Sequence, residues 1–515
     1  MPNAQCLAPN SLPSPMHLPD DEFASLCQRV TNFATQYWES VDSLPVRCSA
    51  KPGDVMAKLP ASAPMAGADA GEWDRVFADL NSIVVPGLTH WQSPNFFGFF
   101  PANISGPAIL GELITACLGV QGMMWSTSPA CTEVEIRILD WLVEMLGLPP
   151  SFLSTAANPA STGGGVIQST ASESTLSALV AARRRARRGS ADPSKMTLYT
   201  SNQAHSSIMK AAMVAGFADG CADFSRIRLV DVGPNFAMRP DALLAAMQAD
   251  RAAGLVPIFV AATIGTTGTT AVDPIAEIAS TIDAASTGMS FRPWLHTDAA
   301  HSGAALICPE LRWMSQGLER SDSFCFNPHK WLLTNFDCDC FWTSDRASLI
   351  ESMSITPEYL RNEASDAGTV TDFRDWHIPL GRRFRSLKLW LVIRHYGVEG
   401  LRTYIRQHID LAKTFESLVR SDPRFELIGD RTVNLVCFRL RPLPNEKPAD
   451  TDHRNRTLLE TINATGKAFL IHTVTPPVAN EPPKLVLRMS IGAVRTQEEH
   501  IRATWTLITH SAARG

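Results

Sequence analysis

Lys330 has neighbours suited to covalent chemistry. It stands in the stretch Ser323-Phe324-Cys325-Phe326-Asn327-Pro328-His329-Lys330-Trp331-Leu332-Leu333. An apolar flank strips water from an ammonium and lowers its pKa, as an amine nucleophile requires if it is to attack a carbonyl at neutral pH. His329 places a second titratable group beside the amine, and Pro328 is expected to break any helix. The same residues also suit a lysine at a strand end, its stem on Trp331 and its head in water. What else converges on this point decides between the two.

Three further stretches carry candidate groups. Gly163-Gly164-Gly165 leads into Val166-Ile167-Gln168-Ser169-Thr170-Ala171-Ser172, a glycine turn and short strand feeding a helix predicted from about Thr175 through the basic run Arg183 to Arg188. Small hydroxylated residues at a helix N-terminus form an anion site, because free N–H groups and the dipole meet there. An ordinary capped helix has the same pattern, and the stretch is neither G-x-G-x-x-G nor a P-loop, so ATP and NAD are poorly supported. His296-Thr297-Asp298 sets a carboxylate at a predicted strand end, and Ser201-Asn202-Gln203 is followed by His205. An amine, an anion site, a carboxylate to keep a pyridine nitrogen protonated and a flat imidazole to stack on a ring together suit pyridoxal phosphate. Each alone also has a structural reading.

The elements that must position these groups alternate. Strands are predicted at Thr197 to Thr200, Ile227 to Val230, Ile258 to Ile264, Pro293 to His296 and Ser323 to Phe326. Helices are predicted at Ser206 to Ala215, Pro240 to Ala253 and Pro274 to Ala285. That alternation predicts an α/β fold, a mainly parallel sheet covered by helices. Ligands of such sheets bind outside the carboxyl ends of strands, where Asn202, Thr267, Asp298 and Lys330 all fall. Upstream, helices are predicted from Asp20 and over Trp73 to Val84. Ile109 to Leu118 and Cys131 to Leu146 read as buried helices. His90 to Pro101 packs five aromatics into a segment that fills a core or lines an apolar pocket. Downstream, helices over Leu387 to Tyr396 and Val398 to Leu418 and strands over Asn434 to Leu440 and Lys484 to Ile491 begin a last domain. Pro442 to Arg456 reads as a solvent loop.

A chain of 515 residues is expected to form two or three domains. Its 45% hydrophobic and 19% charged composition is that of a globular protein, and a net charge of −5 without a basic stripe argues against nucleic acid and anionic membranes. The first nineteen residues lack a secretory pattern. No apolar run reaches the length of a bilayer span, so a cytoplasmic protein is expected. Eleven scattered cysteines, with Cys338 and Cys340 as an unaccompanied C-x-C pair, point to reduced thiols and no metal site.

With these residues in hand, a family resemblance can be stated. Asn327-Pro328-His329-Lys330-Trp331 resembles the cofactor-lysine motif of the aromatic L-amino-acid decarboxylases, the group II pyridoxal-phosphate decarboxylases. His90 to Pro94, Ser128 to Glu133, His296 to Ala300 and Ile378 to Arg385 reinforce it in order, and it runs from about Phe23 to Trp505. The resemblance implies the aspartate-aminotransferase type of fold (fold type I). This has a seven-stranded, mainly parallel sheet domain, a smaller C-terminal α+β domain and an N-terminal helical segment that swaps over a homodimer. The implied divisions are a flexible tail at 1–19, a dimerisation segment at 20–105, a large cofactor domain at 106–387 and a small domain at 388–515.

By the same resemblance Lys330 binds the cofactor as an imine, Asp298 pairs with the pyridinium nitrogen and His205 stacks on the ring. Ala171, Ser172 and Asn327 hold the phosphate, with Gly381 approaching from the partner subunit. Thr267 and Ala300 support the ring, and His329 lies near the substrate. Trp91, Phe99, Phe100 and Pro101 form the side-chain pocket, with Gln121 and Met123 contributed across the dimer. Tyr359, on a loop of the partner, protonates the carbon left after CO2 departs. Phenylalanine there marks the related aldehyde-forming acetaldehyde synthases, so Tyr359 and His205 favour the amine-forming branch. The implied substrate is tryptophan, tyrosine, phenylalanine or dopa. His301, Gln121, Met123 and Ala102 depart from the usual family pattern, and Gly381 leaves more room than the serine of histidine decarboxylases.

Overall fold

The computed structural model describes residues 18–65, 71–355, 370–478 and 481–513. Helix α1 (Asp20–Ser40) begins with three acids at the positive end of its dipole. It buries only Leu26, while Phe23 and Val30 stay exposed. Helix α2 (Glu72–Asp79) runs on through Leu80–Val84 to a 3-10 turn at Val85–Gly87, where Pro86 sits. Helix α3 (Gly106–Leu118) is capped by Ser105, whose hydroxyl accepts from Ala108 N, and ends at left-handed Gly119. Its predicted burial is not found: Leu110, Leu113, Ile114 and Leu118 are exposed, and only Ala108, Gly111 and Thr115 are covered. Periodicity located an apolar face but carried no information on what lies against it. Helix α4 (Pro129–Leu146), capped by Ser128, is buried as predicted.

The central section alternates as its pattern predicts. In order come β1 (Gly164–Gln168), α5 (Ala171–Arg188), β2 (Met196–Ser201), α6 (Ser207–Val214), β3 (Ile227–Val230), α7 (Pro240–Ala252), β4 (Val256–Thr263), α8 (Ile275–Ala285), β5 (Trp294–Asp298), β6 (Ser323–Phe326), α9 (Pro328–Trp331), β7 (Asp339–Thr343) and α10 (Arg346–Met353). The seven strands lie in the order β1-β7-β6-β5-β4-β2-β3. Strands β2 to β6 pair in parallel, and β7 runs antiparallel to both neighbours. One core packs α4, α7 and α8 on one face of the sheet, and a second packs α5, α6 and α10 on the other.

Two local readings need correction here. Helix α5 starts at Ala171, four residues before the predicted Thr175, because Thr170 already has the extended backbone of an N-cap. Pro328 does not exclude a helix. It occupies the first turn of α9, where a missing N–H costs no hydrogen bond.

Helix α11 (Arg385–Ser421) contains both predicted helices, joined at Gly397 with φ 62° and ψ 174°. Its first half, through Leu389, Val392 and Leu401, completes the core over the large sheet. Its second half, with Phe415 and Val419, enters a separate C-terminal core. That core is completed by β8 (Phe425–Leu427), β9 (Leu435–Leu440), α12 (Pro448–Ala464), β10 (Ile471–Val474), β11 (Leu485–Ser490) and α13 (Glu498–Ala512). The strands form an antiparallel sheet in the order β10-β11-β9-β8. The predicted solvent loop at Pro442 to Arg456 is half helix. From Pro448 it forms α12, which buries Thr451 and Asn455, and the Asn455 side chain accepts from Leu440 N at 2.7 Å. Polar residues there serve internal hydrogen bonds, so composition misled. Among the described residues no helix is long and apolar enough to cross a membrane.

Candidate active site

Three strand ends and two helix starts converge around Lys330. Asp298 ends β5, directly opposite Cys325 of β6. Past these ends, Ala299 N donates to Cys325 O at 3.0 Å, Asn327 N to Ala300 O at 2.9 Å and Lys330 N to Asn327 O at 3.0 Å. This ladder of loop hydrogen bonds holds the two segments that carry the acid and the amine side by side. Burial lowers the pKa of Lys330, and the charge of Asp298 partly restores it. Its Nζ lies 5.8 Å from the centroid of the Phe100 ring. Desolvation, which makes the amine nucleophilic, is therefore present. Trp331 instead faces away into the core, where its Nε1 donates to His408 Nδ1 at 2.9 Å.

Asp298 is 3% exposed. Its Oδ1 accepts from Ala300 N at 2.9 Å, and Cys325 Sγ lies 3.9 Å from the same oxygen. Among the described residues Oδ2 has no hydrogen-bond donor, so one carboxylate oxygen is anchored and the other is open to a ligand. His205 follows β2. Its Nδ1 accepts from Ser207 N at 3.1 Å, which leaves the proton of the neutral ring on Nε2. Burial lowers its pKa; Asp298 opposes that shift and Lys330 adds to it, so the imidazole is neutral at pH 7. His329 is also neutral, pushed to about 3 by burial and by the Lys330 charge. Its Nδ1 sits between the carbonyl and the amide of Cys338, at 2.7 and 3.0 Å.

The N-terminus of α5 is suited to receive an anion. Ala171 and Ser172 occupy its first turn, where backbone N–H groups have no partner within the helix. Glu173 is turned away, accepting from Ser169 N at 3.0 Å and Ser169 Oγ at 2.6 Å. Burial raises its pKa, but His377 and Ser169 outweigh that and bring it down to about 2. Asn327 is 2% exposed with its side-chain oxygen unpartnered. An amine, an open carboxylate oxygen, a free helix N-terminus, a neutral imidazole and an unsatisfied buried amide fit pyridoxal phosphate. Thr267 and Ala300 flank these groups in the loops after β4 and β5.

The aromatic segment divides its residues. Phe96 and Phe97 are buried and fill the core, whereas Trp91 and Phe99 are exposed and stacked with ring centroids 5.4 Å apart. Phe469, from the C-terminal domain, joins them at 6.2 Å from Phe99. Pro101 packs on Gly492, where any Cβ would come within 2.5 Å of its ring. Gln121, Met123 and Gly381 form a separate cluster. Gln121 Oε1 accepts from Arg382 N at 3.2 Å, Gly122 N donates to Arg382 O at 3.1 Å and Arg374 N donates to Met123 O at 2.9 Å. Their hydrogen bonds run to this cluster and not to Lys330, Asp298 or His205. Tyr359 lies outside the described residues.

Of three further residues near the site, His301 was legible only as a departure from the family pattern, and Arg488 and Asp339 were not found from sequence. His301 is 1% exposed and stacks on Phe100 at 3.8 Å and on Trp331 at 5.0 Å, with Nε2 bound to Asn434 Oδ1 at 2.8 Å. Arg488 on β11 is 2% exposed, with its guanidinium 5.3 Å from the Phe100 ring centroid. Asp339 on β7 is wholly buried. The available signal was a charged residue inside an apolar strand, clear for Arg488 in Leu485-Val486-Leu487-Arg488-Met489. A cleft of about 930 Å³ lies elsewhere, between α4, β1 and Thr371 to Trp376. Lys330, Asp298, His205 and Asn327 do not line it.

Residues 52–441 match the pyridoxal-dependent decarboxylase conserved domain. The chain is 45% identical over 488 residues to tryptophan decarboxylase 2 of Oryza sativa subsp. japonica, covering 94% of this chain and 93% of that one. It is 44% identical over 488 residues to phenylacetaldehyde synthase of Arabidopsis thaliana, covering 94% of each. A crystal structure of Oryza sativa TDC with PLP and tryptamine superposes with a TM-score of 0.89 at 43% identity, over 97% of this chain and 99% of that one.

Proposed function

This chain belongs to the pyridoxal-dependent decarboxylase family, and on that premise we propose that it removes CO2 from an aromatic L-amino acid to release the amine. The observation that carries the reading is the placement of a desolvated Lys330 and of Asp298 on segments that leave adjacent strand ends, beside the Phe100 ring. When bound, pyridoxal phosphate supplies an aldehyde for an amine to attack and a protonated pyridine ring that takes up the electron pair left by departing CO2. Lys330 presents the attacking amine. Asp298 Oδ2 holds the proton on the ring nitrogen, and the neutral face of His205 packs against the ring. Ala171, Ser172 and Asn327 hold the phosphate, with Thr267 and Ala300 bordering the ring. Trp91, Phe99, Phe100 and Pro101 receive the substrate's aromatic side chain, and neutral His329 lines the same space without contributing charge. Arg488, a buried cation above Phe100 with no ion pair among the described residues, takes the substrate carboxylate.

Identity does not separate amine formation from aldehyde formation, since relatives of both kinds match almost equally. Tyr359 favours the amine, because a phenol can deliver a proton to the α-carbon before oxygen reacts there. The enzyme acts as a homodimer in which Tyr359, Gly381, Gln121 and Met123 serve the neighbouring site. The exposed Leu110, Leu113, Ile114 and Leu118 of α3 support a partner surface. The divisions at 20–105, 106–387 and 388–515 follow the family plan, and ten free cysteines among the described residues support a reducing, cytoplasmic setting. The test is a product assay with tryptophan, tyrosine, phenylalanine and dopa, scoring CO2, amine, aldehyde and peroxide separately. Equal amounts of CO2 and amine are expected; aldehyde and peroxide matching the CO2 would establish the oxidative branch instead.

A further inference from the structure

Asp339 opens β7 and is 0% exposed. Its Oδ2 shares a hydrogen bond with Ser174 Oγ, while Oδ1 is buried without a partner among the described residues. Ser174 also donates to Gln168 Oε1 at 3.1 Å, and Gln168 Nε2 donates to Ser177 Oγ at 3.2 Å. Gln168 and Asp339 face each other across the β1–β7 ladder. Two strands thus grip α5 from below at its fourth and seventh residues, one turn beyond Ala171 and Ser172.

We propose that Asp339 is a positioning residue of the cofactor site, pinning the first turn of α5 through Ser174 so that the Ala171 and Ser172 amides stay where the phosphate is held. The inference rests on the pyridoxal-phosphate reading given above and adds a residue to it. Ser174 has one hydroxyl hydrogen facing two acceptors, Gln168 Oε1 and Asp339 Oδ2, so both contacts are hydrogen bonds together only when the acid carries the second hydrogen and is neutral. Burial favours this state most, as do the carboxylates of Asp298 on β5 and Glu173 on α5, and together they outweigh the Ser174 hydroxyl and the charge of Lys330 on α9, which oppose it. A buried carboxylate with a single hydroxyl partner and no paired cation would be far more costly. Neutrality also suits the task, since a second negative charge beneath the anion site would repel the phosphate.

The experiment compares dissociation constants for pyridoxal 5'-phosphate and for pyridoxal, which lacks the phosphate. Tryptophan fluorescence and visible absorbance are followed on wild type, Asp339→Asn and Asp339→Ala. Asparagine keeps a neutral hydrogen-bond donor toward Ser174. It should bind both ligands within about threefold of wild type, whereas alanine should lose roughly tenfold to a hundredfold for the phosphate ester and little for pyridoxal. Equal losses for both ligands in Asp339→Ala, or an asparagine variant as impaired as alanine, would overturn the proposal. Should Asp339→Ala not fold, Ser174→Ala reads the same clamp from the helix side with the same expected selectivity. Wild type that bound neither ligand would overturn the cofactor reading itself, and this inference with it.

Discussion

Replacing Arg488 with glutamine removes a buried positive charge from the space above Phe100. Its Nε donates to Gly268 O at 3.1 Å, Nη2 is buried without a partner, and burial lowers its pKa. In the free protein this cation pairs with no carboxylate among the described residues, so its desolvation is poorly offset. Its removal should leave stability within about 1 kcal/mol of wild type, as is common when an uncompensated buried charge is exchanged for a neutral group. Substrate binding should respond differently. A carboxylate about 4 Å from the guanidinium, at an effective dielectric of about 20, gains about 4 kcal/mol before its own desolvation is subtracted. A net loss of roughly 2–4 kcal/mol corresponds to about 30-fold to 1,000-fold in KM. Because the interaction already exists in the ground state, kcat should fall much less, by under about tenfold. Lysine keeps the charge without the fork and should recover part of the affinity. The assay measures KM and kcat for the amino acid and the inhibition constant of its amine product, which has no carboxylate. An unchanged KM, or amine affinity that falls as far as that of the acid, would refute the assignment.

Acid should destabilise the cofactor-free protein well before its carboxylates titrate. Burial holds His296 and His408 at about 4 and His301 and His329 at about 3, below their unfolded value of 6.5. Between those limits the unfolded chain binds protons that the folded chain refuses, so stability falls as pH falls through the window. Asp273, raised to about 6 by burial, and Asp339, raised well above the usual carboxylate range by burial, each oppose them by roughly one proton. Near pH 5 the unfolded chain holds a net excess of about two protons, or about 3 kcal/mol per pH unit. A denaturation midpoint that stays level from pH 6.5 to 4.5 would contradict this. Tyr359→Phe should still release CO2 but consume O2 and yield aldehyde, ammonia and peroxide. A wild-type product ratio measured under air would show that the hydroxyl delivers no decisive proton. Leu113→Asp places a charge on the exposed face of α3, where Leu113 is 47% exposed. It should shift sedimentation from dimer to monomer with unchanged circular dichroism, and a dimer that persists would locate the interface elsewhere.

The groups that gather around Lys330 were legible because strand ends and helix starts are written locally. An apolar run ending in Asp298, another ending before Asn327-Pro328-His329-Lys330 and small residues opening α5 state their own positions, and the α/β alternation places them at one edge. The break at Gly397 was equally plain, since only a residue free of side-chain clash suits its left-handed φ of 62° there. Strand β7 escaped notice because a strand buried on both faces shows no alternation. Helix α12 escaped because its polar residues point inward to hydrogen bonds made with β9. What covers a side chain was not legible at all. The buried columns around His301, Arg488 and Asp339 each depend on partners more than a hundred residues away, and nothing within α3 tells that its apolar face stays exposed. Sequence determined which groups exist and where the chain turns. Only tertiary packing decided which of them lose water: it buries Lys330, which lowers its pKa, and it buries Arg488 with no ion pair among the described residues.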